Sequence, residues 1–448
     1  MKAGANFLRR VAVPLLWCLA VFLLFALYVA VRQTDYRITS FFVQLSMVVL
    51  LVFLMVLVLR YLVLLTVSFL HKLECENRPS AEELKADPAF MASLPKVTIV
   101  VPAYNEGVVI EASIRSLIAL NYPDLEILVV DDGSSDDTFE RAKKYENLEG
   151  PVVVRVFKKK NGGKANALNF GIWRADGELI LSVDADSKLE KDSLIYAASH
   201  FDDPRIGAVA GNVKVINREK LITKMQALEY IQGLNLVRRA QGYYKIVNII
   251  PGPLGLFRKT ALEEAAFYDH DTFAEDCDLT IKLLGKGWKI EYEPNAITWT
   301  EAPEDIRSYF KQRYRWTRGI LQSLRKHSNY LFDRGNRVNK FILWYMVFES
   351  VLWPAMNLFA QLFFLYIVWF FDLAKFVVFW WGQLTILDIV ASMYCLVLER
   401  EQMRLALYSI PYRLFFVLMT DVCKVLATME EMLKVEMTWG KLDRAGRI

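Results

Sequence analysis

Four clusters of reactive side chains lie in order along the middle of this chain: Asp131-Asp132, Asp184-Ala185-Asp186, Glu275-Asp276 and Gln312-Arg313-Tyr314-Arg315-Trp316. Carboxylates can hold a hard divalent cation and can take a proton from an attacking hydroxyl. An indole covers the face of a pyranose ring, and a guanidinium pairs with phosphate oxygens. These are the parts needed to move a sugar off a diphosphate. The long apolar stretch that follows the last cluster sets that chemistry beside a bilayer.

Each cluster has a plainer reading to be weighed against this one. Asp-x-Asp is common in solvated loops, but here it follows the apolar run Leu179 to Val183, so two carboxylates emerge at a strand end in alternating directions. One suits a divalent cation, Mg²⁺ or Mn²⁺, and the other a sugar or ribose hydroxyl. Asp131-Asp132-Gly133-Ser134 is either a helix-capping turn or a nucleotide site in which Asp132 accepts from the base. In Lys158 to Lys164 (KKKNGGK) the glycines favour Lys164 as the cation that meets a diphosphate. Glu275-Asp276 precedes a helical run, Leu279 to Leu284. It serves either as an N-cap or as the general base for an acceptor hydroxyl. With one base and a neutralised leaving group, a single inverting displacement needs no covalent intermediate.

Gln312, Arg315 and Trp316 share a helical face at i, i+3 and i+4. Their helix, Asp305 to Ser323, also carries Ile306, Tyr309, Phe310 and Ile320, a pattern suited to a membrane interface. An interfacial helix anchored by Trp and Arg is the plainer reading, but it leaves Gln312 and Arg315 at that spacing, directly upstream of a span, unexplained.

The elements that must position these groups read as α/β. Lys96 to Val101, Glu126 to Val130, Val152 to Phe157 and Leu179 to Val183 are continuous apolar strands. They alternate with helices Ile110 to Leu120, Asp136 to Tyr145 and Lys164 to Arg174. That order predicts a mostly parallel sheet covered on both faces, with ligands at the carboxyl ends of its strands.

Outside this domain the chain is apolar. Its 448 residues are 54% hydrophobic with mean hydropathy +0.24, and the excess sits at the two ends. Val11 to Val31 is uncharged over about 21 residues, enough to span a bilayer. Phe41 to Leu70 is broken only by Arg60. No small-residue cleavage site follows the first run, so a retained hairpin is expected rather than a signal peptide. Phe341 to Phe371, with Glu349 and Pro354, and Phe376 to Leu398 read as two further spans. Ala406 to Met429 is interrupted by Pro411, Arg413, Asp421 and Lys424, which favours an amphipathic interfacial helix over a fifth span.

The expected division is a hairpin at 1–72, a charged cytoplasmic tether at 73–95, and the α/β domain with its interfacial helix at 96–337. C-terminal membrane helices at 338–435 and a cytoplasmic tail at 436–448 complete it. Arg9, Arg10, His71 and Lys72 outside the hairpin turn, with Lys434, Lys441, Arg444 and Arg447 at the end, place the catalytic domain in the cytoplasm. A net charge of +4 does not suggest a nucleic-acid partner; basic residues near the spans suit anionic lipid. Five scattered cysteines show no metal-site spacing and fit a reducing compartment.

As an ordered set, Val101-Pro102-Ala103-Tyr104-Asn105-Glu106, Asp131-Asp132-Gly133-Ser134, Asp184/Asp186, Glu275-Asp276 and Gln312 to Trp316 resemble family-2 glycosyltransferases of the processive, membrane-embedded kind. Cellulose, chitin, hyaluronan and bacterial poly-N-acetylglucosamine synthases belong to that group. The resemblance covers about residues 97 to 320. Ala274-Glu275-Asp276-Cys277-Asp278 and Trp439-Gly440-Lys441 look most like the poly-N-acetylglucosamine branch.

The resemblance implies a GT-A type nucleotide-sugar-binding domain inserted between transmembrane helices. Its donor would be a UDP-sugar, UDP-N-acetylglucosamine in that branch, and its product a β-linked polysaccharide exported through the inner membrane. Accessory membrane or export subunits would be further partners. It implies Asp132 near the uracil, and Pro102, Tyr104, Glu106, Lys164, Asp184 and Arg315 around the donor. Asp186 would hold the metal, Asp276 with Glu275 would be catalytic, and Gln312, Trp316 and Gly252 would face the acceptor. A non-processive transferase that adds one sugar to a lipid carrier is the alternative. Ala274, where threonine is frequent, bears on acceptor positioning rather than on the base. No cyclic-di-nucleotide-binding domain is visible at the C-terminal end, so control is expected from partners.

Overall fold

The structure, a computed structural model, describes residues 41–146, 150, 152–332, 337–371 and 374–435. The expected first span, its turn, and the tail with Trp439-Gly440-Lys441 lie outside them.

Eight strands form one sheet. In chain order they are β1 Val97–Ala103, β2 Leu125–Asp131, β3 Val153–Lys158, β4 Leu179–Ser182, β5 Ser187–Leu189, β6 Ile206–Val215, β7 Gly255–Arg258 and β8 Lys289–Thr300. The spatial order is β3-β2-β1-β4-β7-β6-β8-β5. β3, β2, β1 and β4 run parallel, as the apolar runs indicate. Beyond β4 the sheet is mixed: β7 is antiparallel to β4 and β6, β6 is parallel to β8, and β5 is antiparallel to β8. Both faces are covered. Val97, Ile99, Val101, Ile127 and Val129 enter one apolar layer, while Val100, Leu128 and Val130 enter the other. Alternate residues of each strand thus serve opposite cores, which is why these strands read as unbroken apolar runs.

Pairing brings the site residues to one edge. Ala103 lies opposite Asp131, Asp131 opposite Lys158, and Val100 opposite Ser182. The segments following β1, β2, β3 and β4 therefore leave the sheet side by side.

Three helices among the described residues are long and apolar enough to cross a membrane, within Val43–Ala86, Lys340–Phe370 and Val377–Leu398. Helix Phe41–Glu76 is about 54 Å long at 1.5 Å per residue, more than a hydrocarbon core needs. Its later turns (Leu64, Leu65, Val67, Phe69) pack with Leu236, Val237 and Ala240 of the α/β domain and with Tyr394 to Leu398 of helix Ala374–Leu398. The segment expected as a charged tether continues this helix and then forms two short helices, Ala81–Ala86 and Pro88–Ser93. These are tied to the domain through Ala81 N–H donating to Tyr196 and through Lys85 with Asp192.

Residues expected as one C-terminal interfacial helix form a 3₁₀ turn, Met403–Tyr408, a π-helical turn, Tyr412–Phe416, and helix Val417–Met432. The last of these packs along helix Ile306–Lys326. Tyr309 Oη lies 2.6 Å from Thr420 Oγ1, Arg318 Nε donates to Glu431 at 2.8 Å, and Tyr314 donates to Glu430.

Candidate active site

A cavity of about 1030 Å³ opens at the carboxyl edge of β1, β2 and β4. Pro102, Tyr104 and Glu106 line it after β1, Asp132 after β2, Lys164 after β3, and Asp184 and Asp186 after β4. Glu275, from the start of helix Glu275–Gly285, and Gln312 and Arg315, from helix Ile306–Lys326, close it. Residues more than 200 positions apart thus face one space. Trp316, Asp276 and Gly252 are not part of that lining.

The loop after β1 is fixed to the one after β2. Asn105 has a left-handed backbone (φ 53°), which asparagine tolerates, and its Oδ1 accepts from Ser135 N–H at 2.7 Å. Its own N–H donates to Ser134 Oγ, and that of Glu106 to Thr138 Oγ1, both at 2.8 Å. Asp132 is buried, and its carboxylate accepts from Gly162 N–H (3.0 Å), from Gly163 N–H (2.7 Å) and from the Lys159 ammonium at 2.5 Å. It therefore clamps the Lys159–Gly163 loop, a role that the expectation of a base contact did not include. Gly163, at φ 86°, turns the chain into helix Lys164–Ile172, so Lys164 is the first helical residue.

Lys164 Nζ lies 2.6 Å from Asp184 Oδ1 and 2.9 Å from Glu275 Oε1, bridging two acids on different elements. Burial works against its charge, but Asp184 and Glu275 more than offset this and hold the ammonium well above its usual range. Gly252 sits against the same pair: a Cβ there would come 3.0 Å from both Asp184 Oδ2 and Lys164 Nζ. Any side chain would press on the bridge. Asp276 is partly buried behind Glu275, and its Oδ1 accepts from Cys277 N–H at 2.8 Å. Burial first, then the Glu275 charge, pushes this carboxyl up to about 6, with Lys164 opposing. Burial and the neighbouring Glu275 carboxylate, against the pull of Lys164, make Asp276 a stronger base than an open aspartate.

On helix Ile306–Lys326, Gln312 is buried at the cavity wall and Arg315 is half-buried beside it. Trp316, one turn on from Gln312, packs instead against the apolar group of Val213, Val215, Ala227, Tyr230 and Ala302. Sequence reasoning did not single out Glu430, which reaches the cavity from helix Val417–Met432, nor Phe273 and Lys311, and it gave Tyr314 no role within its cluster. Tyr314 and Lys311 lay within the expected helix. Glu430 carried no local signal, because its place depends on a contact with Tyr314 across 116 positions.

With this geometry in place, residues 98–265 match the family described as Glycosyl transferase family 2. The chain carries a family 2 glycosyltransferase domain. It is 34% identical over 261 residues to the poly-beta-1,6-N-acetyl-D-glucosamine synthase of Staphylococcus aureus (strain COL), covering 57% of this chain and 62% of that protein. Against the synthase of the same description from Staphylococcus epidermidis it is 33% identical over 256 residues, covering 57% and 61%. The chain thus spans a little under two thirds of the length of the curated relatives it matches. Among solved structures, the mannosyltransferase PcManGT from Pyrobaculum calidifontis, in complex with GDP-Man and Mn²⁺, superposes with TM-score 0.60 at 22% identity, covering 84% of this chain and 99% of that one. That likeness is one of fold, a GT-A-like mixed sheet.

The glycosyltransferase domain offers donors that fit a hard divalent cation: Asp184 and Asp186 present carboxylate oxygens to the cavity, two residues apart after β4. Asp186 is buried, so a bound cation there would be sheltered from bulk water. Asp269, Asp271 and Asp278 form a second acidic group. Lys326 Nζ sits among them, 2.6, 2.8 and 3.1 Å from their oxygens, and offsets part of their charge.

Proposed function

We propose that this chain is an inverting, processive transferase that moves N-acetylglucosamine from UDP-N-acetylglucosamine onto a growing β-linked polysaccharide. The single observation behind this reading is the Lys164 bridge between Asp184 and Glu275, inside a cavity walled by Gln312 and Arg315. It sets a phosphate-seeking cation against Asp184, one of the two acids after β4, and against Glu275, the chain neighbour of the proposed base Asp276. The relatives at 33–34% identity are described as poly-β-1,6-N-acetylglucosamine synthases, which supports this sugar.

In this mechanism Tyr104, Glu106 and the Asp132-clamped loop hold the nucleotide, while Lys164 and Arg315 attend the diphosphate. Asp186, with Asp184, would hold Mg²⁺ or Mn²⁺, which balances the charge of the departing diphosphate. Asp276 takes the proton from the acceptor hydroxyl as that oxygen attacks the anomeric carbon, and Glu275 keeps its neighbour basic. Gln312 and Trp316 orient the acceptor sugar. Gly252 leaves room beside Lys164 for it. General-base help of this kind is worth about 10²–10⁴ in rate.

The site is expected on the cytoplasmic side of a multi-pass inner-membrane protein, with the product passing outward between its helices. Three candidate spans support this arrangement. Incubation of the purified protein in lipid with a panel of UDP-sugars and Mg²⁺ or Mn²⁺, followed by linkage-specific hydrolases, tests the assignment. UDP-N-acetylglucosamine should be consumed and its product cut by a β-N-acetylglucosaminidase. Preference for another UDP-sugar overturns the sugar.

A further inference from the structure

Arg313 lies within the Gln312–Trp316 cluster, yet it is not among the cavity's lining residues and is nearly fully buried. Its guanidinium touches both neighbours that the proposed function assigns to the acceptor. Nη1 donates to Gln312 Oε1 at 2.7 Å, and Cζ lies 4.2 Å from the centre of the Trp316 ring. On its other side it lies 4.8 Å from the Tyr309 ring centre. The remaining nitrogens reach Glu229: Nε to Oε1 at 3.1 Å, and Nη2 to Oε2.

Glu229 opens a π-helical stretch, Glu229–Asn235, between helices Leu221–Leu228 and Leu236–Tyr243. Such widened turns are uncommon and recur at functional sites. This one presents a carboxylate to the far helix. One planar cation therefore joins four groups: an anchor on a separate element, an amide at the cavity wall, and two aromatic rings.

We infer that Arg313 is a positioning residue, locked by Glu229, that sets the rotamers of Gln312 and Trp316 for the incoming acceptor. Gln312 cannot rotate away without losing its hydrogen bond, and Trp316 cannot swing without leaving the guanidinium face. Lysine cannot replace it. A compact ammonium keeps the charge opposite Glu229 but lacks the fork that also serves Gln312 and the flat face that meets the indole. The anchor is equally specific, since the carboxylate accepts two parallel hydrogen bonds in the bidentate manner that fixes orientation.

The inference rests on the acceptor role proposed for Gln312 and Trp316. The test compares wild type, Arg313→Lys, and the uncharged pair Glu229→Gln/Arg313→Gln, each purified in lipid. UDP affinity, donor hydrolysis without acceptor, polymer yield and polymer length are measured for each. The double variant guards against a fold lost through a stranded charge. Displacement of acceptor-holding groups should cut polymer yield by about 10- to 100-fold and shorten the product in both variants. UDP affinity and donor hydrolysis should stay at wild-type levels, which a merely structural role would not spare. Wild-type yield and length in Arg313→Lys would overturn the inference alone, as would a matching loss of UDP affinity. A wild-type protein that makes no polymer would remove the functional reading and this inference together.

Discussion

A carboxyl whose pKa is lifted to about 6 is ionised at neutral pH yet takes up a proton more readily than a surface aspartate, which suits deprotonation of a sugar hydroxyl. The sign of the pH dependence follows. The base works only when deprotonated, so transfer should fall as pH drops through about 6. Asp276→Asn should lose about 10²–10⁴ in transfer rate, and its residual rate should lack that acidic limb. Calorimetric UDP binding should stay near wild type. Lys164 opposes the rise of the Asp276 pKa, so its removal takes away a nearby positive charge. The acidic limb of residual activity in Lys164→Ala should therefore move to higher pH, and a shift downward would contradict the electrostatic account. The acids and Lys164 were legible in the sequence because each follows a strand or opens a helix. The work of Asp132 in holding the loop was not, because its partners are mainly backbone N–H groups, and composition says nothing of these.

Between elements, what the sequence revealed depended on how each strand is buried. β1 to β4 were visible within a residue or two, since a strand covered on both faces must be apolar throughout. β6 and β8 were not. Asn212 and Lys214 lie in β6, and Glu291 and Glu293 in β8, all buried inside strands. Their partners come from far along the chain: Asn212 donates to Glu399, Lys214 pairs with Glu401, and Glu293 meets His200 and Arg78. Polar residues satisfied at long range break the apolar pattern that marks a strand locally. Glu399, just past helix Ala374–Leu398, also takes Arg239 of helix Leu236–Tyr243 at 2.7 and 2.9 Å, with both side chains buried. Glu399→Ala strands that arginine, and breaking a buried pair costs about 3–5 kcal/mol. A clear fall in thermal midpoint in detergent is expected, with UDP affinity retained in the fraction still folded. An unchanged midpoint would mean that the pair does not hold the domain to helix Ala374–Leu398.

Across the molecule, these ties make one unit of an α/β domain and a set of apolar helices. Helix Phe41–Glu76 shares an apolar cluster with the domain and with helix Ala374–Leu398. Helix Val417–Met432 braces helix Ile306–Lys326, which carries Gln312 and Arg315 to the cavity wall. Helix Trp353–Phe371 packs on Val417–Met432 in turn, so an apolar candidate span and the cavity wall are joined through one intervening helix. In the proposed reading, this joined unit performs repeated addition to a chain that stays bound. Sizing the product that purified wild-type protein makes in lipid vesicles from radiolabelled UDP-N-acetylglucosamine, with enzyme far below donor, tests this most directly. The account predicts long chains from the earliest time points, accompanied by unused donor. A product that is only a monosaccharide on lipid would contradict it.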